Sequence, residues 1–386
     1  MNREDLLTLS PAHNLLISSC QNEVDLSAVK TAFSTLSDKE YLTLHTLSHQ
    51  HGLYPLFYKT VKTVAPDSLS AELSKRFKQS HMSIIQRTMF MSAELLQLMQ
   101  LFHDHDIDAM AFKGPVLGEM AYGSVSLRQY GDLDILIKRE QIEPTLSLLK
   151  KRGYVPEIAL EKNTFDTFYN CVNVIGLQKG PIRVEIHWEL LSKNYAIDWD
   201  EQDLWQEYAT VEINKKPIKA LSFENHILYL CAHGSKHLFE RLEWISDIDR
   251  AIRTQEKVEW EHLIMEAKRL GIERMLYLGL HLSKLFFNLP LPQEIQQNID
   301  SDPEIESLTK KVITLHYSEQ KEAKSYSTFW LLWQMRENLS DRLHFAYRGL
   351  FAPKFDDFKF IQLPKQLSFL YPFIRPYRLI TKYFRN

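Results

Sequence analysis

Gln129–Ile137, with the sequence QYGDLDILI, places two aspartates in a segment that otherwise has the composition of a buried strand. Because side chains at i and i+2 of a strand share a face, Asp132 and Asp134 project together while the aliphatic residues around them point into a core. Burying two unpaired carboxylates costs several kcal/mol. The stretch therefore indicates either a divalent cation held between the two acids or an edge strand whose acids are solvated.

A second strand-like segment, Arg183–Leu190 (RVEIHWEL), supplies further polar groups. Apolar and polar residues alternate along it, so Glu185 and His187 share the face opposite the apolar side chains. A third carboxylate is thus available on another strand. Mg²⁺ is usually bound by one or two protein carboxylates, with substrate phosphates and waters as its other ligands. The two strands together favour the cation over the solvated edge.

The segment Ala111–Met120 (AFKGPVLGEM) reads as the end of a strand, a turn formed by Lys113 and Gly114, and a helix with Pro115 at its first position. A helix N-terminus preceded by glycine favours a bound phosphate, and Lys113 could add a positive charge there. The order along the chain is therefore strand, glycine turn, helix, DxD strand, further strands and a lone acid.

Hydrophobic periodicity divides the chain into four predicted regions. They are an N-terminal helical region (1–105), an α/β core (106–215), a C-terminal helical domain (216–350) and a basic, aromatic C-terminal tail (351–386). In the first region, Leu69–Phe102 contains no Gly or Pro and is predicted to form one long helix. The predicted strands of the core are Asp108–Phe112, Leu133–Ile137, Tyr154–Ile158, Cys171–Leu177 and Arg183–Trp188.

The composition of the 386 residues narrows the class of protein. A formal net charge of −3 with 25% charged residues provides no basic field, so no stable nucleic-acid binding is expected. The three cysteines are far apart in sequence, which does not fit a disulfide framework or a CxxC zinc site. The first ten residues carry acids and no apolar core, and no run reaches the ~18 apolar residues of a membrane span. These features predict a cytoplasmic protein.

Three segments carry a resemblance to a known family: FKGPVLGEMAYGSVSLRQYGDLDILI, VEIHWEL and HGSKHLFERLEWISDI. Between Ala111 and Ile248 the chain resembles the bacterial family of uncharacterised nucleotidyltransferases, which belongs to the polymerase-beta-type superfamily. The resemblance implies an α+β fold in which a nucleotidyltransferase core, a mixed sheet with helices, is flanked by N- and C-terminal helical regions. Two departures are visible. Lys113 and Gly114 stand where the superfamily usually has Gly-Ser, and Glu185 stands where an aspartate is common.

By this resemblance Asp132 and Asp134 hold Mg²⁺, with Mn²⁺ as the alternative, and Glu185 completes the metal site or deprotonates the acceptor hydroxyl. The implied reaction is in-line attack of that hydroxyl on the α-phosphate of a nucleoside triphosphate, with pyrophosphate leaving. Arg128 is either a contact to the triphosphate or half of a salt bridge to a nearby acid such as Asp132.

The segment Cys231–Arg250 is predicted to be one helix with a polar stripe along one face. The members of the stripe lie three and four residues apart: His233, Lys236, His237, Glu240, Arg241, Trp244 and Asp247. The resemblance places this helix across the cleft from the acids, so we expect nucleotide contacts from the two histidines, Lys236 and Arg241, with a solvated surface as the alternative. His233 and His237 do not suit zinc, because they lack the glutamate of HExxH and Lys236 adds a repelling charge.

The tail after Asp357 interleaves basic and aromatic residues and contains no acid. It is predicted either to make peripheral contact with an anionic membrane surface or to pack on the helical domain with its basic groups at the rim.

These features predict a Mg²⁺-dependent nucleotidyltransferase that transfers a nucleoside monophosphate from a nucleoside triphosphate to an acceptor. A small molecule, a peptide and a protein all stay open as acceptors. The alternative, from another functional class, is a catalytically inactive nucleotide-binding or partner-recognition module. The presence of Asp132, Asp134 and Glu185 favours the enzyme.

Overall fold

A computed structural model describes residues 9–65, 69–158, 165–318 and 328–383 of the chain. Most of the first ten residues, on which the expectation against export rests, lie outside these ranges, and so do Phe384 and Arg385 of the tail. Within the described ranges, no helix combines the length and the apolar character that crossing a membrane requires.

Helices alone precede the first strand in the described residues. They are α1 (Pro11–Cys20), α2 (Leu26–Ser34), α3 (Asp38–Gln50), α4 (Tyr54–Val64) and α5 (Ala71–His103). The prediction of one long helix is confirmed by α5, which has 33 residues and begins where the Ser70 hydroxyl accepts a hydrogen bond from the Leu73 amide. Gly52, with φ +70°, separates α3 from α4.

A mixed five-stranded sheet follows, in the order β1-β2-β5-β4-β3. Its strands are β1 (Ala109–Ala111), β2 (Leu133–Ile137), β3 (Val155–Pro156), β4 (Val174–Lys179) and β5 (Ile182–His187). The helices between and after them are α6 (Gly114–Tyr122), α7 (Ile142–Lys151), α8 (Phe165–Cys171) and α9 (Glu201–Gln206). Only β2 and β5 pair in parallel among these strands. The predicted α+β class with a mixed sheet is confirmed.

Strand β2, which contains Asp134 and begins directly after Asp132, is interior. It pairs with β1 on one side and with β5 on the other, and all of its residues are buried. The edge-strand interpretation is therefore wrong. In the parallel register, Asp134 lies directly opposite Glu185, and Leu136 lies opposite His187. Because register partners share a face, the acids of both strands project to the same side of the sheet.

A hairpin formed by β6 (Tyr208–Ile213) and β7 (Lys216–Leu221) was not predicted. Its two turn residues, Asn214 and Lys215, have φ values of 50° and 61°. Two consecutive positive φ angles are typical of the tight turns that join antiparallel strands, but such turns usually contain glycine. Because Asn214 and Lys215 are not a typical turn pair, the sequence did not indicate a hairpin here. The domain boundary predicted at residue 215 falls at this turn and stays a prediction, as do the other boundaries.

The rest of the described chain is helical. Its helices are α10 (Phe223–Lys236), α11 (Leu242–Arg253), α12 (Trp260–Arg269), α13 (Glu273–Phe287), α14 (Gln293–Ser301), α15 (Pro303–His316), α16 (Thr328–Gln334), α17 (Leu339–Phe351), α18 (Phe355–Phe360) and α19 (Tyr371–Tyr383).

The prediction of one continuous helix from Cys231 to Arg250 is wrong, because the chain breaks between α10 and α11. Leu238 and Phe239 have φ values of 53° and 49°, and the Phe239 amide donates to the Gly234 carbonyl at 2.7 Å. The Phe239 ring then lies so close to Gly234 that a Cβ there would be 2.3 Å from it. The turn is thus stabilised by packing on a glycine, which helical periodicity does not reveal.

Two clusters of buried apolar side chains form the interior. One joins the N-terminal helices to the C-terminal ones, with Phe57 and Leu278 among its members. The other covers the sheet, and Phe358 and Tyr371 of the tail pack into it. Part of the tail therefore packs on the protein, but these two aromatic side chains join the cluster of the sheet, whereas the prediction placed the aromatic residues on the helical domain. Along α19, Phe373, Tyr377 and Ile380 stay exposed, so the predicted membrane contact stays a prediction.

Candidate active site

The three acids lie together on one face of the sheet, at the start of β2. Asp134 is 3% exposed, whereas the side chains of Asp132 and Glu185 are 34% and 20% exposed. A single guanidinium links the outer two, because Arg183 Nη2 lies 2.9 Å from Glu185 Oε1 and its Nη1 lies 3.7 Å from Asp132 Oδ2. Glu157 holds the same guanidinium through a 2.8 Å contact to Nε. Arg183 was not singled out from the sequence, although alternation puts it on the face of Glu185.

Lys113 provides the positive charge nearest to Asp134. Its Nζ lies 3.6 Å from Asp134 Oδ1 and 3.3 Å from His233 Nε2. Burial acts to lower the pKa of Lys113, but Asp134, Tyr229 and Asp132 together outweigh burial and raise it. Gly114, with φ +52°, follows at the start of α6, and a Cβ there would meet the Asp132 carbonyl oxygen at 3.2 Å. The lysine-glycine turn is therefore fitted tightly against the first aspartate.

His187 joins the acids from the same face. Its Nε2 lies 3.2 Å from Asp134 Oδ1 and 3.4 Å from Glu185 Oε2, and its ring packs edge-on against Phe112 at a centroid distance of 5.1 Å. Burial lowers the pKa of this imidazole, but the two carboxylates outweigh burial and raise it. Strand alternation placed His187 beside Glu185, but the sequence did not identify it as a site residue.

The carboxylates have different proton affinities although they are neighbours. Burial, Asp134 and Glu185 raise the pKa of Asp132 to about 6. Burial also acts to raise the pKa of Asp134, but Lys113 and His187 outweigh it, so the net shift is downward. The raised pKa of Asp132 reflects burial and repulsion between the carboxylates, and a bound cation would relieve the repulsion.

The donor set fits a divalent cation. Among the described residues, one group of His, Cys, Asp and Glu side chains brings three donor atoms within 4.8 Å of one another, and it consists of Asp134, Glu185 and His187. Carboxylate oxygens suit Mg²⁺ and Mn²⁺, and imidazole suits transition metals. His233 and His237 do not belong to this group, and the expectation that they do not bind zinc stays a prediction.

Arg128 forms a buried ion pair with Asp247 of α11. Its Nε and Nη2 donate to the two carboxylate oxygens at 2.8 Å and 2.9 Å, and the Tyr122 hydroxyl donates to Asp247 Oδ1 at 2.8 Å. Both partners are nearly inaccessible, with exposures of 6% and 0%. Arg128 thus forms a salt bridge, as one of its two interpretations predicted, but with Asp247 and not with Asp132. Arg128 also lines the cleft, and its contact to the triphosphate stays a prediction. Asp247 itself is buried and, contrary to the prediction, does not belong to a polar surface stripe.

A cleft of about 480 Å³ separates the acids from α10 and α11. Its walls carry Asp132, Asp134, Lys113, His233, Arg241 and Trp244. Arg87 of α5 also lines the cleft and donates from Nη2 to the Gly131 carbonyl at 3.1 Å. Nothing in the local sequence around Arg87 pointed to this position, because it depends on where the long helix packs.

Arg241 is held in the cleft wall by Glu243, whose Oε1 lies 3.0 Å from Arg241 Nη2. Burial raises the pKa of Glu243 to about 7 although Arg241 opposes the shift. The carboxylate packs on Gly52, where a Cβ would be 1.6 Å from Glu243 Oε2. The turn between α3 and α4 thus supports the Arg241 guanidinium, which faces the acids across the cleft.

The remaining predicted nucleotide contacts lie near the cleft but not all in its wall. Lys236 lies outside the cleft, with Nζ 5.3 Å from the Tyr195 ring centroid, and burial and the charge of Lys113 lower its pKa to about 8. His237 contacts the rings of His233 and Trp244 at 4.8 Å and 5.1 Å. The structure therefore brings Lys113, His233 and Arg241 to the acids and leaves Lys236 at the margin.

Three solved structures are similar to parts of the chain at low identity. The solution structure of the antibiotic-resistance factor ANT(2'')-Ia is 10% identical, with a TM-score of 0.32, over 46% of this chain and 89% of that one. The crystal structure of ANT(2'')-Ia with adenylyl-2''-tobramycin is 11% identical, with a TM-score of 0.34, over 46% and 95%. An antigenic nucleotidyltransferase-like protein from Paracoccidioides brasiliensis is 16% identical, with a TM-score of 0.26, over 58% and 91%.

No protein with a curated description is significantly similar in sequence. A family model does match: residues 37–288, well over half of the chain, fit the model described as uncharacterised nucleotidyltransferase. This match covers the acids, the lysine-glycine turn and the cleft, and it confirms the resemblance of the three sequence segments. The chain belongs to the family of uncharacterised nucleotidyltransferases.

Proposed function

We propose that the protein transfers a nucleoside monophosphate from a nucleoside triphosphate to an acceptor hydroxyl in the cleft beside β2. One observation carries the proposal: Asp132, Asp134 and Glu185 converge on one sheet face, and the two aspartates line a cleft whose other wall presents Arg241. Acids and cations that face each other across a cleft can position a metal-bound triphosphate.

Asp132, Asp134 and Glu185 would hold Mg²⁺, which would supply charge stabilisation to the attacking and leaving oxygens. The phosphates themselves would be bound by groups of this chain. Lys113 would provide an ammonium from the turn in which the superfamily usually has Gly-Ser, and Arg241 would provide a guanidinium from the opposite wall.

Glu185 would accept the proton of the acceptor hydroxyl. The acceptor oxygen then forms a bond to the α-phosphorus while the bond from that phosphorus to the β-phosphate oxygen breaks, and pyrophosphate leaves with the electron pair. Support for this role comes from the way Glu185 is held: Arg183 contacts Oε1 and His187 contacts Oε2. A base that is fixed from two sides needs little reorganisation before proton transfer.

Small molecules, peptides and proteins all fit the proposal as acceptors. The cytoplasm fits as the compartment, since Cys20, Cys171 and Cys231 are buried free thiols. Peripheral membrane contact by the tail is supported by the exposed side chains of Phe373 and Tyr377.

A second candidate is a nucleotide-binding module without catalysis. A specific observation favours it: every acid of the site already has a positively charged partner, Arg183 at Asp132 and Glu185, and Lys113 at Asp134. If these contacts persist with nucleotide bound, the carboxylates stay paired with protein cations and are not available to bind a metal ion or to accept a proton.

Incubating the purified protein with each of the four labelled nucleoside triphosphates, Mg²⁺ and a cell extract tests both candidates. If the protein is a nucleotidyltransferase, label from one triphosphate should become attached to a distinct acceptor, and Asp134→Asn should abolish this transfer. Nucleotide binding without any transferred label would refute the enzyme and support the module.

A further inference from the structure

The position of His187 carries an inference about the metal. It lies two residues after Glu185 on β5, and its register partner on β2 is Leu136, two residues after Asp134. All three side chains therefore project from the same sheet face. The imidazole is 5% exposed, and the edge contact with Phe112 limits rotation of the ring. Its Nε2 is therefore directed at the two carboxylates.

The distances from the imidazole nitrogen of His187 to the two carboxylates match those between neighbouring ligands on one ion. Metal–ligand bonds of about 2.0–2.2 Å place neighbouring ligand atoms about 3–3.5 Å apart in octahedral or tetrahedral geometry. His187 Nε2 lies 3.2 Å from Asp134 Oδ1 and 3.4 Å from Glu185 Oε2. Asp132 does not belong to this compact group.

The contacts of His187 with the two carboxylates have ion-pair distances but lack the alignment of hydrogen bonds. Neither ring nitrogen of His187 has a hydrogen-bond partner with acceptable geometry among the described residues. A buried polar nitrogen normally has such a partner, and one that lies within 3.4 Å of two carboxylates without alignment to either is an exception that needs a reason. An ion shared by the three side chains provides one, because the nitrogen lone pair then points between the carboxylates.

We propose that His187 is a metal ligand, and that with Asp134 and Glu185 it forms a one-imidazole, two-carboxylate site that prefers Mn²⁺ or Co²⁺ to Mg²⁺. The proposal rests on the proposed function and deepens it, because a site made of carboxylates alone would suit Mg²⁺. Imidazole binds first-row transition ions well and Mg²⁺ poorly, since Mg²⁺ requires oxygen ligands.

Metal binding to the purified full chain tests this without any assay of transfer. Titration with Co²⁺, followed by visible absorption, should show a specific site, and competition should show Mn²⁺ and Co²⁺ binding at least about tenfold more tightly than Mg²⁺. In His187→Gln the affinity for Co²⁺ should fall at least about tenfold while that for Mg²⁺ changes less. The matched control is His262→Gln, since His262 is an exposed histidine on α12.

Pulsed electron paramagnetic resonance of Mn²⁺ bound to the unmodified protein keeps the test valid if His187→Gln fails to fold. Coupling of Mn²⁺ to a ¹⁴N nucleus is expected, and its absence would overturn the proposal. Unchanged Co²⁺ affinity in folded His187→Gln would also overturn it and would leave a carboxylate-only metal site and the proposed transfer intact. Metal binding through His187 without any transfer of label would refute the proposed function alone.

Discussion

The two sides of the cleft are built by different means. On the sheet side, the acids come from two paired strands, and their common face follows from alternation and register. On the helical side, Arg241 lies after a left-handed turn at Leu238 and Phe239, and it is held by Glu243 against Gly52. Strand periodicity thus fixes the position of a side chain locally, whereas the position of a cation on a helix depends on contacts between distant segments.

The two sides also differ in what a substitution should change. Acids on the sheet face lie near the proposed reacting atoms, so their loss should affect chemistry. The ion pair of Arg128 and Asp247, by contrast, ties the loop before β2 to α11 inside the protein. Its loss should affect stability first.

The largest effect is expected from the sheet side, with Asp132→Asn combined with Asp134→Asn. Nucleoside triphosphate with Mg²⁺ should raise the melting temperature of the unmodified protein. At a hundredfold excess over Kd, binding adds about 2.7 kcal/mol to the free energy of unfolding. The double variant should lose this rise and all transfer, because its amides cannot replace the charge of two carboxylates. Thermal melting with and without ligand measures the first effect.

Asp104→Asn serves as the control for that double variant, because Asp104 is an exposed acid in the connection before β1. An unchanged ligand-induced rise in the double variant would show that the pair is not the metal site, and the sheet side would then be structural.

Glu185→Gln should separate chemistry from binding on the sheet side. Loss of a general base typically lowers the rate about 10²–10⁴-fold. Affinity for the triphosphate should stay near that of the unmodified protein, because Asp132 and Asp134 are retained. Single-turnover transfer and equilibrium nucleotide binding provide the two measurements, and transfer equal to that of the unmodified protein would refute the base role.

Arg128→Met tests whether the helical side depends on its buried pair. Removing one partner leaves Asp247 buried and uncompensated, which should lower the free energy of unfolding by about 3–5 kcal/mol in urea denaturation. The matched control is Arg269→Met. Arg269 forms a 2.7 Å ion pair with Glu266 at the surface, where loss of a pair typically costs at most about 1 kcal/mol. Equal effects of the two variants would contradict the structural role of the Arg128 pair.

The smallest effects are expected from Arg241→Ala and Lys236→Ala. A charge-assisted hydrogen bond to phosphate contributes about 1.5–3 kcal/mol, so Arg241→Ala should weaken triphosphate binding by up to that amount. Lys236 lies at the margin of the cleft, and its replacement should weaken binding less. Isothermal titration with the triphosphate compares them with Lys257→Ala, an exposed lysine on the loop before α12. If Arg241→Ala binds the triphosphate as tightly as the unmodified protein, the helical side of the cleft does not contribute to nucleotide binding.

Much of the fold was open to prediction where local signals were strong. The long helix α5, the central strands β2 and β5 and the turn before α6 follow from periodicity, β-branched content and glycine. The β6–β7 hairpin was missed because its turn uses Asn214 and Lys215. The break between α10 and α11 was missed because a glycine and a phenylalanine inside an apolar period look like helix.

The candidate site divides in the same way. Asp132, Asp134 and Glu185 were found from alternation together with the family resemblance, and His187 was visible on their face but was not assigned. Arg87 and the partner of Arg128 could not be found, because each depends on packing across a long sequence separation.

By itself, the sequence determined which polar side chains share the face of β2 and β5, because strand alternation and the aliphatic core residues permit only one orientation of these strands. Only the tertiary structure decided which cations meet those acids. Arg128 pairs with Asp247, while Arg183 and Lys113 pair with the acids of the sheet. The physical reason is that alternation is a property of the local backbone, whereas the partner of a charge depends on which distant groups are packed and desolvated beside it.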